Sequence, residues 1–255
     1  MAIVDRPAEL PTAKVLPAFA IIGWRWISRN PAAAVAPILL PFIFLYFLKI
    51  ISPSGLFPLE VIGAMLFTTQ NIGSWVLGDS ANWRIEHALQ DIFVASPMGK
   101  IRYLFGIAFS NLIPAAPALL LLGGVLAVTL PGTPPWYAWP VLAASITVLW
   151  VLFSAIGIAI SSRVTSQREI WPVGNLTFTC LGMLSPLYYP LSILPGWWQV
   201  AAHFLPATYA ALLVQGVFGL TPAPAATLAA YGGLLLLTAV VGTAVALQIY
   251  RWQGK

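Results

Sequence analysis

Charged side chains are scarce in this sequence: 12 Lys and Arg and 7 Asp and Glu make up only 7 % of its 255 residues. A soluble globular domain has about 25 % charged residues. Residues 103–162 and 170–250 contain no charged residue at all. Since one membrane helix needs about 20 apolar residues, these two blocks are long enough for about four spans. The shortage of charge excludes a soluble enzyme, a nucleic-acid-binding protein and a disulfide-stabilised secreted domain, and it predicts a polytopic membrane protein.

Residues that carry chemistry are also scarce. Cys180 is the single cysteine, so no disulfide forms within the chain. No G-x-x-x-x-G-K-[ST] loop, which would cradle nucleotide phosphates, occurs in the sequence. No cluster of His, Cys, Asp and Glu has the spacing of metal ligands. We therefore predict no catalytic residue, cofactor or metal in this chain, and any ATP that drives its function must bind to a separate polypeptide.

Six stretches of about 20 residues are apolar enough to span a membrane. They are residues 31–51, 59–78, 103–130, 139–161, 170–189 and 224–250. When the N-terminus is placed in the cytoplasm, every Lys and Arg except Lys49 lies on the inner side. Because cytoplasmic loops are enriched in basic residues, this predicts an all-α protein of the inner or plasma membrane, with six transmembrane helices and both termini cytoplasmic. Residues 1–255 then form a single transmembrane domain.

The segment before the first span, residues 14–30, has the pattern of an amphipathic helix. Phe19, Ile22 and Trp26 fall on one side of it and its basic residues lie elsewhere. This pattern predicts a helix in the inner membrane interface, and the alternative is an ordinary basic flank that anchors the first span.

A second amphipathic stretch, residues 83–96, lies in the first inner loop. Its apolar stripe consists of Ile85, Leu89, Ile92 and Phe93, and its polar face consists of Arg84, Glu86, Gln90 and Asp91. A helix that binds only anionic lipid would favour Lys and Arg. The mixed signs favour a protein partner instead.

Residues 191–221 are too apolar for a solvated loop and contain too many prolines and glycines for a clean span. Irregular backbone is tolerated at membrane depth only where protein buries it. We therefore predict two short helices that form a re-entrant hairpin on the outer side, between spans five and six.

Three runs of this sequence resemble a known family. RIEHALQDIFVASP at 84–97 is similar to the coupling segment of the permease subunits of type-2 ABC exporters. SPLYYPLSILPGWW at 185–198 is similar to the aromatic-Pro, Leu-Pro, Trp signature of that family, and HFLPATY follows at 203–209. The order of interfacial helix, six spans, coupling helix and re-entrant pair also resembles this family over essentially the whole chain.

The resemblance implies an ATP-driven exporter whose ATP and Mg²⁺ are bound by a separate ABC ATPase subunit, and whose permease pairs with a second copy or a paralogue. The coupling helix would meet the ATPase through Arg84, Glu86, Leu89, Gln90, Asp91 and Phe93. Spans two and five would line the translocation path through Thr68, Asn71, Asn175 and Thr179. The outer gate or re-entrant region would contain Tyr188, Trp197 and His203.

Two other classes remain open beside the exporter. The mid-span polar residues are equally compatible with interhelical hydrogen bonds that only hold the bundle together. The chain would then be a membrane assembly subunit that does not transport, or a membrane enzyme that acts on lipid. For an exporter, the apolarity and the resemblance favour a hydrophobic or amphipathic cargo, such as a drug-like molecule, a lipid or a lipid-linked compound.

Overall fold

The structure is a computed structural model that describes residues 12–53, 55–86, 89–96 and 98–250. These residues form helices and connecting turns, with no strand among them. The α-helices in chain order are α1 (Thr12–Arg29), α2 (Pro31–Ile51), α3 (Phe57–Ile85), α4 (Leu89–Ala95), α5 (Lys100–Thr129), α6 (Ala138–Ser161), α7 (Gln167–Leu184), α8 (Gly196–Ala202), α9 (Pro206–Val217) and α10 (Ala225–Ile249). A short 3₁₀ turn, Leu191–Ile193, precedes α8.

Helix α3 lies at the centre of the bundle and packs against α2, α5, α6, α7 and α9. Its closest crossing is with α6, where a Cβ on Gly157 would clash with the carbonyl oxygen of Gly73. Small residues at such a crossing let two helix backbones approach directly, which is a common way to hold membrane helices together. The ring of Phe178 packs beside this crossing and against the ring of Phe153, and both residues belong to the main apolar core.

Three helices of the described residues, α5, α6 and α10, are long and apolar enough to cross a membrane. The number rises to four if α8 and α9 form one bent span. Each of the six predicted spans falls at least largely on a helix, and the count of six stays a prediction. Helix α7 stops at Leu184, before the predicted end at Tyr189. Pro186 explains this, because a proline disfavours helical geometry at the residue before it.

The amphipathic N-terminal segment forms α1, which packs along α5. Phe19 and Gly23 are buried in this contact, and Gly106 leaves room for the Phe19 ring. Ile22 and Trp26, which were predicted to lie on the same side of the helix as Phe19, are 39 % and 43 % exposed. The close approach that Gly23 permits rotates the contact face toward Gly23. The position of α1 in the membrane interface stays a prediction.

At one end of the bundle, two basic side chains connect the ends of four helices by hydrogen bonds. Arg84, at the end of α3, donates from Nη2 to the carbonyl oxygens of Ser161, the last residue of α6, and Val164, in the turn after it. Lys100, at the start of α5, donates from Nζ to the Leu247 carbonyl of α10 at 2.8 Å. The carbonyls of Ser161 and Leu247 lie in the last turns of α6 and α10, where they have no partner within their own helix. The two basic residues thus lie at the same end of the bundle, as the charge distribution predicts.

The uncharged segment before α10 folds into α8 and α9, whose axes meet at 101°. Pro206 begins α9, and proline cannot continue the preceding helix. Helix α9 packs against α3, α6 and α10, and Gln215 donates from Nε2 to the Leu187 carbonyl at 3.4 Å. This geometry is that of a broken span or a re-entrant loop. The re-entrant assignment of residues 191–221 stays a prediction.

Candidate functional site

One face of α3 lines two neighbouring cavities. Thr68, Asn71, Trp75, Asp79 and Asn82 recur every three or four residues, so they lie on the same side of the helix. At about 1.5 Å per residue, this row is about 21 Å long. All five residues line one cavity or the other, and Trp75 lines both.

The first cavity, of about 340 Å³, lies between α2, α3 and α7. It brings together all four residues that were predicted to line a path: Thr68, Asn71, Asn175 and Thr179. The remaining lining is apolar and aromatic and consists of Pro37, Leu40, Pro41, Phe44, Phe67, Trp75, Met183 and Tyr188. A polar band inside an otherwise apolar groove suits a ligand with both kinds of surface.

Hydrogen bonds hold α7 against α3 beside this groove. Gln70 donates from Nε2 to the Phe178 carbonyl at 2.8 Å. The Ser74 hydroxyl lies 3.5 Å from Asn175 Oδ1, at the edge of the lining. The second contact is at the limit of hydrogen-bond length and is therefore the weaker one. Part of the polar set thus joins the helices, and part of it faces the cavity.

The three residues predicted for the outer region do not form one site. Tyr188 is buried, lines the first cavity and packs its ring on Phe44 at 4.9 Å between centroids. Trp197 is 71 % exposed and does not line either cavity. His203 is exposed, and its Nδ1 lies 2.6 Å from the carbonyl oxygen of Gln199 in the preceding turn. Of the three, only Tyr188 is placed to touch a ligand in the groove.

The second cavity, of about 640 Å³, lies between α1, α2, α3 and α5, and Trp171 of α7 also contributes to it. Asp79 reaches into it and accepts a hydrogen bond from Asn111 Nδ2 at 2.9 Å. Three residues, Pro37, Leu40 and Trp75, line both cavities, so the two are neighbours along α3.

Sequence reasoning missed this second cavity because the predicted second span, residues 59–78, ends just before Asp79. A charged residue after a long apolar run looks like the end of a span. The spacing of Asn71, Trp75 and Asp79, each four residues after the last, would have placed Asp79 on the lining face.

Helix α4 is fixed to the bundle by an aromatic cluster. The ring of Phe93 lies 5.0 Å from that of Tyr103, 6.2 Å from Phe19 and 6.4 Å from Trp83. These distances fall in the range of favourable aromatic pairs. Phe93 thereby links α4 to α1, α3 and α5 at once.

The residues predicted to meet an ATPase have different surroundings. Glu86 and Asp91 are exposed and Leu89 is half-buried. Phe93 lies in the aromatic cluster, and the guanidinium of Arg84 is bound to backbone carbonyls.

The amphipathic assignment of this stretch needs one correction. Gln90, assigned to the polar face, is 3 % exposed, whereas Ile92, assigned to the apolar stripe, is 62 % exposed. The periodicity assumed one helix over 83–96, but α3 continues through Ile85 and α4 begins at Leu89. The two helices therefore do not share a single helical phase.

Within the described part of the chain, no three His, Cys, Asp or Glu residues are grouped so that they could hold a metal ion. The membrane-length apolar helices α5, α6 and α10 define the class of the chain as a multi-pass membrane protein. Residues 18–219 match the ABC-2 type transporter family. Because this match covers most of the chain, the chain belongs to that family: it is the membrane permease component of an ABC transporter, a component that associates with an ABC ATPase. No curated protein matches the chain.

Proposed function

We propose that this chain is the transmembrane subunit of an ATP-driven exporter that moves a hydrophobic or amphipathic cargo across the cell membrane. The observation that carries the proposal is the groove along α3, where four polar side chains interrupt an apolar and aromatic lining. A purely packing role would bury these groups between helices. Asn175 and Thr179 are instead exposed on the groove side of α7, where a passing molecule can reach them.

A second permease copy or a paralogue closes the groove in this proposal. The neighbouring surfaces of α2 and α7 are apolar, with Leu40 66 % and Leu176 69 % exposed. Pairing across these helices would place two polar bands opposite each other. The path would then run between the two permease subunits.

The ATPase would hold ATP and Mg²⁺ and would dock on α4. Glu86, Asp91 and Ile92 supply an exposed surface with two carboxylates and an apolar contact. Movement of α4 would reach α3 through Phe93 and Trp83, which are in ring contact.

Copurification tests the docking surface. We expect the tagged chain, purified in mild detergent from its native host, to retain an ATPase subunit. Glu86→Lys and Asp91→Lys together should remove that subunit, because they reverse the charge of the docking surface. Glu169→Lys, which reverses an exposed carboxylate at the start of α7, is the matched control and should retain it. Retention by all variants would reject α4 as the docking site.

Nucleotide-dependent export from inverted vesicles tests the groove. Asn71→Leu with Asn175→Leu should slow transport while leaving the ATPase bound. Thr147→Val is the control, since the Thr147 hydroxyl bonds only the Ala143 carbonyl of its own helix and the residue is exposed. Equal transport by both variants would contradict a path through this groove, and a fully active chain without any ATPase would contradict the exporter.

Six spans with cytoplasmic termini complete the proposal, and cysteine labelling tests them. In a Cys180→Ser background, a membrane-impermeant thiol reagent added outside intact cells should label Gly132→Cys, in the turn before α6. It should not label Thr165→Cys, in the turn after α6. Both positions are exposed. The opposite pattern would invert the topology.

A further inference from the structure

The second cavity has the chemistry of a site for an organic cation. Asp79 is the charged residue in its lining, and no ion pair with Asp79 is present among the described residues. Arg84, one and a half turns further along α3, is bound to the carbonyls of Ser161 and Val164 and does not reach the cavity. Among the described residues, the carboxylate therefore faces this space without a neutralising partner.

Four indole rings surround the same space: Trp26, Trp75, Trp83 and Trp171 all line it. The face of an indole ring attracts a cation more strongly than any other aromatic side chain, and cages of this kind hold quaternary ammonium groups. A carboxylate beside aromatic faces selects a large, weakly hydrated cation rather than a small metal ion.

One lining residue of this cavity carries a buried polar atom without a hydrogen-bond partner among the described residues. Asn82 Oδ1 is buried and has no hydrogen-bond partner in the described part of the chain, although Asn82 lines the cavity one turn after Asp79. A buried acceptor without a donor is destabilising. An N–H group of a ligand would satisfy this oxygen once the Asn82 side chain turns it toward the cavity.

The position of Asp79 along α3 suits a ligand with a charged group at one end and an apolar body. Asp79 lies about 9 Å from the inner end of α3, at about 1.5 Å per residue. The apolar groove continues from Trp75 toward the other end of the helix. A molecule with its charged group at Asp79 would extend its apolar body into the first cavity.

We propose that this cavity binds the positively charged group of an amphipathic organic cation, such as an ammonium or phosphonium with an apolar body. The inference that such a molecule is cargo rests on the proposed export function; the binding itself does not. The ammonium group could belong to a membrane lipid headgroup or to a soluble amphiphile, since both present the same chemistry.

Equilibrium binding of tetraphenylphosphonium to the purified full-length chain tests the proposal. We expect saturable binding in detergent, and at least tenfold weaker binding of tetraphenylborate, an anion of the same shape. Asp79→Asn should weaken phosphonium binding at least tenfold, while Glu169→Gln, which removes one exposed carboxylate, should leave it unchanged. Equal affinity for the two ions, or unchanged binding by Asp79→Asn, would overturn the proposal.

A gain-of-function variant keeps the test valid if Asp79→Asn does not fold. Asn82→Asp preserves the side-chain shape and adds a second carboxylate to the cavity, so phosphonium binding should tighten severalfold. No tightening in a folded Asn82→Asp chain would overturn the proposal.

Repeating the phosphonium-binding assay in nanodiscs with and without phosphatidylethanolamine separates the two sources of the ammonium group. Competition by phosphatidylethanolamine identifies a lipid headgroup, and the absence of competition identifies a soluble amphiphile.

The outcomes separate this inference from the proposed function. Loss of cation selectivity in a chain that still recruits its ATPase and exports cargo contradicts only the cation site. Selective binding through Asp79 in a chain that recruits no ATPase contradicts only the exporter.

Discussion

Removal of the Phe93 ring should detach α4 from the bundle without changing the docking surface. The ring contacts Phe19, Trp83 and Tyr103, and each aromatic pair contributes about 0.5–1.5 kcal/mol beyond its buried area. Truncation of a fully buried Phe costs about 3–5 kcal/mol, and Phe93 is half-buried. We therefore expect Phe93→Ala to lower the local stability of α4 by about 2 kcal/mol, which is a factor of about 30 in its opening equilibrium.

Amide hydrogen exchange of the full-length chain measures this effect directly, because exchange reports local opening. The amide of Ser96 bonds the carbonyls of Ile92 and Phe93 and should exchange about 30-fold faster in Phe93→Ala. Ile92→Ala removes a neighbouring side chain that is exposed and should leave the exchange rate unchanged. In the assembled transporter, Phe93→Ala should keep the ATPase bound but reduce the cargo moved per ATP hydrolysed.

Unchanged exchange at Ser96 in Phe93→Ala would refute the reasoning about the aromatic cluster. Faster exchange with unchanged transport per ATP would refute the role of the cluster in transmission. Phe93→Leu, which keeps an apolar side chain in the cluster, should give intermediate results in both measurements.

Further predictions concern stability. Gly157→Ala should lower the unfolding temperature in detergent by about 3–6 °C, since α3 and α6 would have to move apart, whereas Gly233→Ala has open space around its Cβ and should leave that temperature unchanged or slightly raised. Arg84→Met should speed proteolysis of the turn after α6 because it removes charged hydrogen bonds worth about 1.5–3 kcal/mol each. Arg84→Lys should restore part of the protection, since an ammonium lacks the planar fork of a guanidinium.

The helices and the polar lining of the first cavity could be predicted from the sequence because both depend on the regular spacing of residues. Apolar runs of membrane length located the six predicted spans on helices. The polar residues of α3 and α7 were recognised because a polar group inside an apolar run is rare and usually faces protein or a cavity. Asn175 and Thr179 are four residues apart, so the same helical face presents both. The structure then placed them opposite Thr68 and Asn71.

The second cavity and the orientation of α4 could not be predicted from residue spacing. The cavity depends on the tertiary placement of Trp26 and Trp171, which lie far apart in sequence and meet only after α1 packs on α5. The orientation of α4 depends on where α3 stops, and a boundary error of a few residues rotates every later side chain. Gln90 and Ile92 exchanged their predicted environments for this reason.

The way α3 is held on its two sides indicates which part of the bundle moves. Toward α6 the backbones touch at Gly73 and Gly157, so little freedom remains there. Toward α7 the polar contacts include only one short hydrogen bond, from Gln70 to the Phe178 carbonyl, and one long one. We therefore expect α3 and α6 to move as one unit during transport, while the groove opens by separation of α7 from α3.

Two engineered disulfides test this division of the bundle. The hydroxyls of Ser80 on α3 and Ser161 on α6 lie 3.0 Å apart, and the Ser74 hydroxyl lies 3.5 Å from Asn175 Oδ1 on α7. In a Cys180→Ser background, Ser80→Cys with Ser161→Cys should preserve transport when oxidised. Ser74→Cys with Asn175→Cys should stop transport until a reductant is added. If the first bridge blocks transport and the second does not, the moving boundary lies between α3 and α6, and a groove that opens beside α7 is wrong.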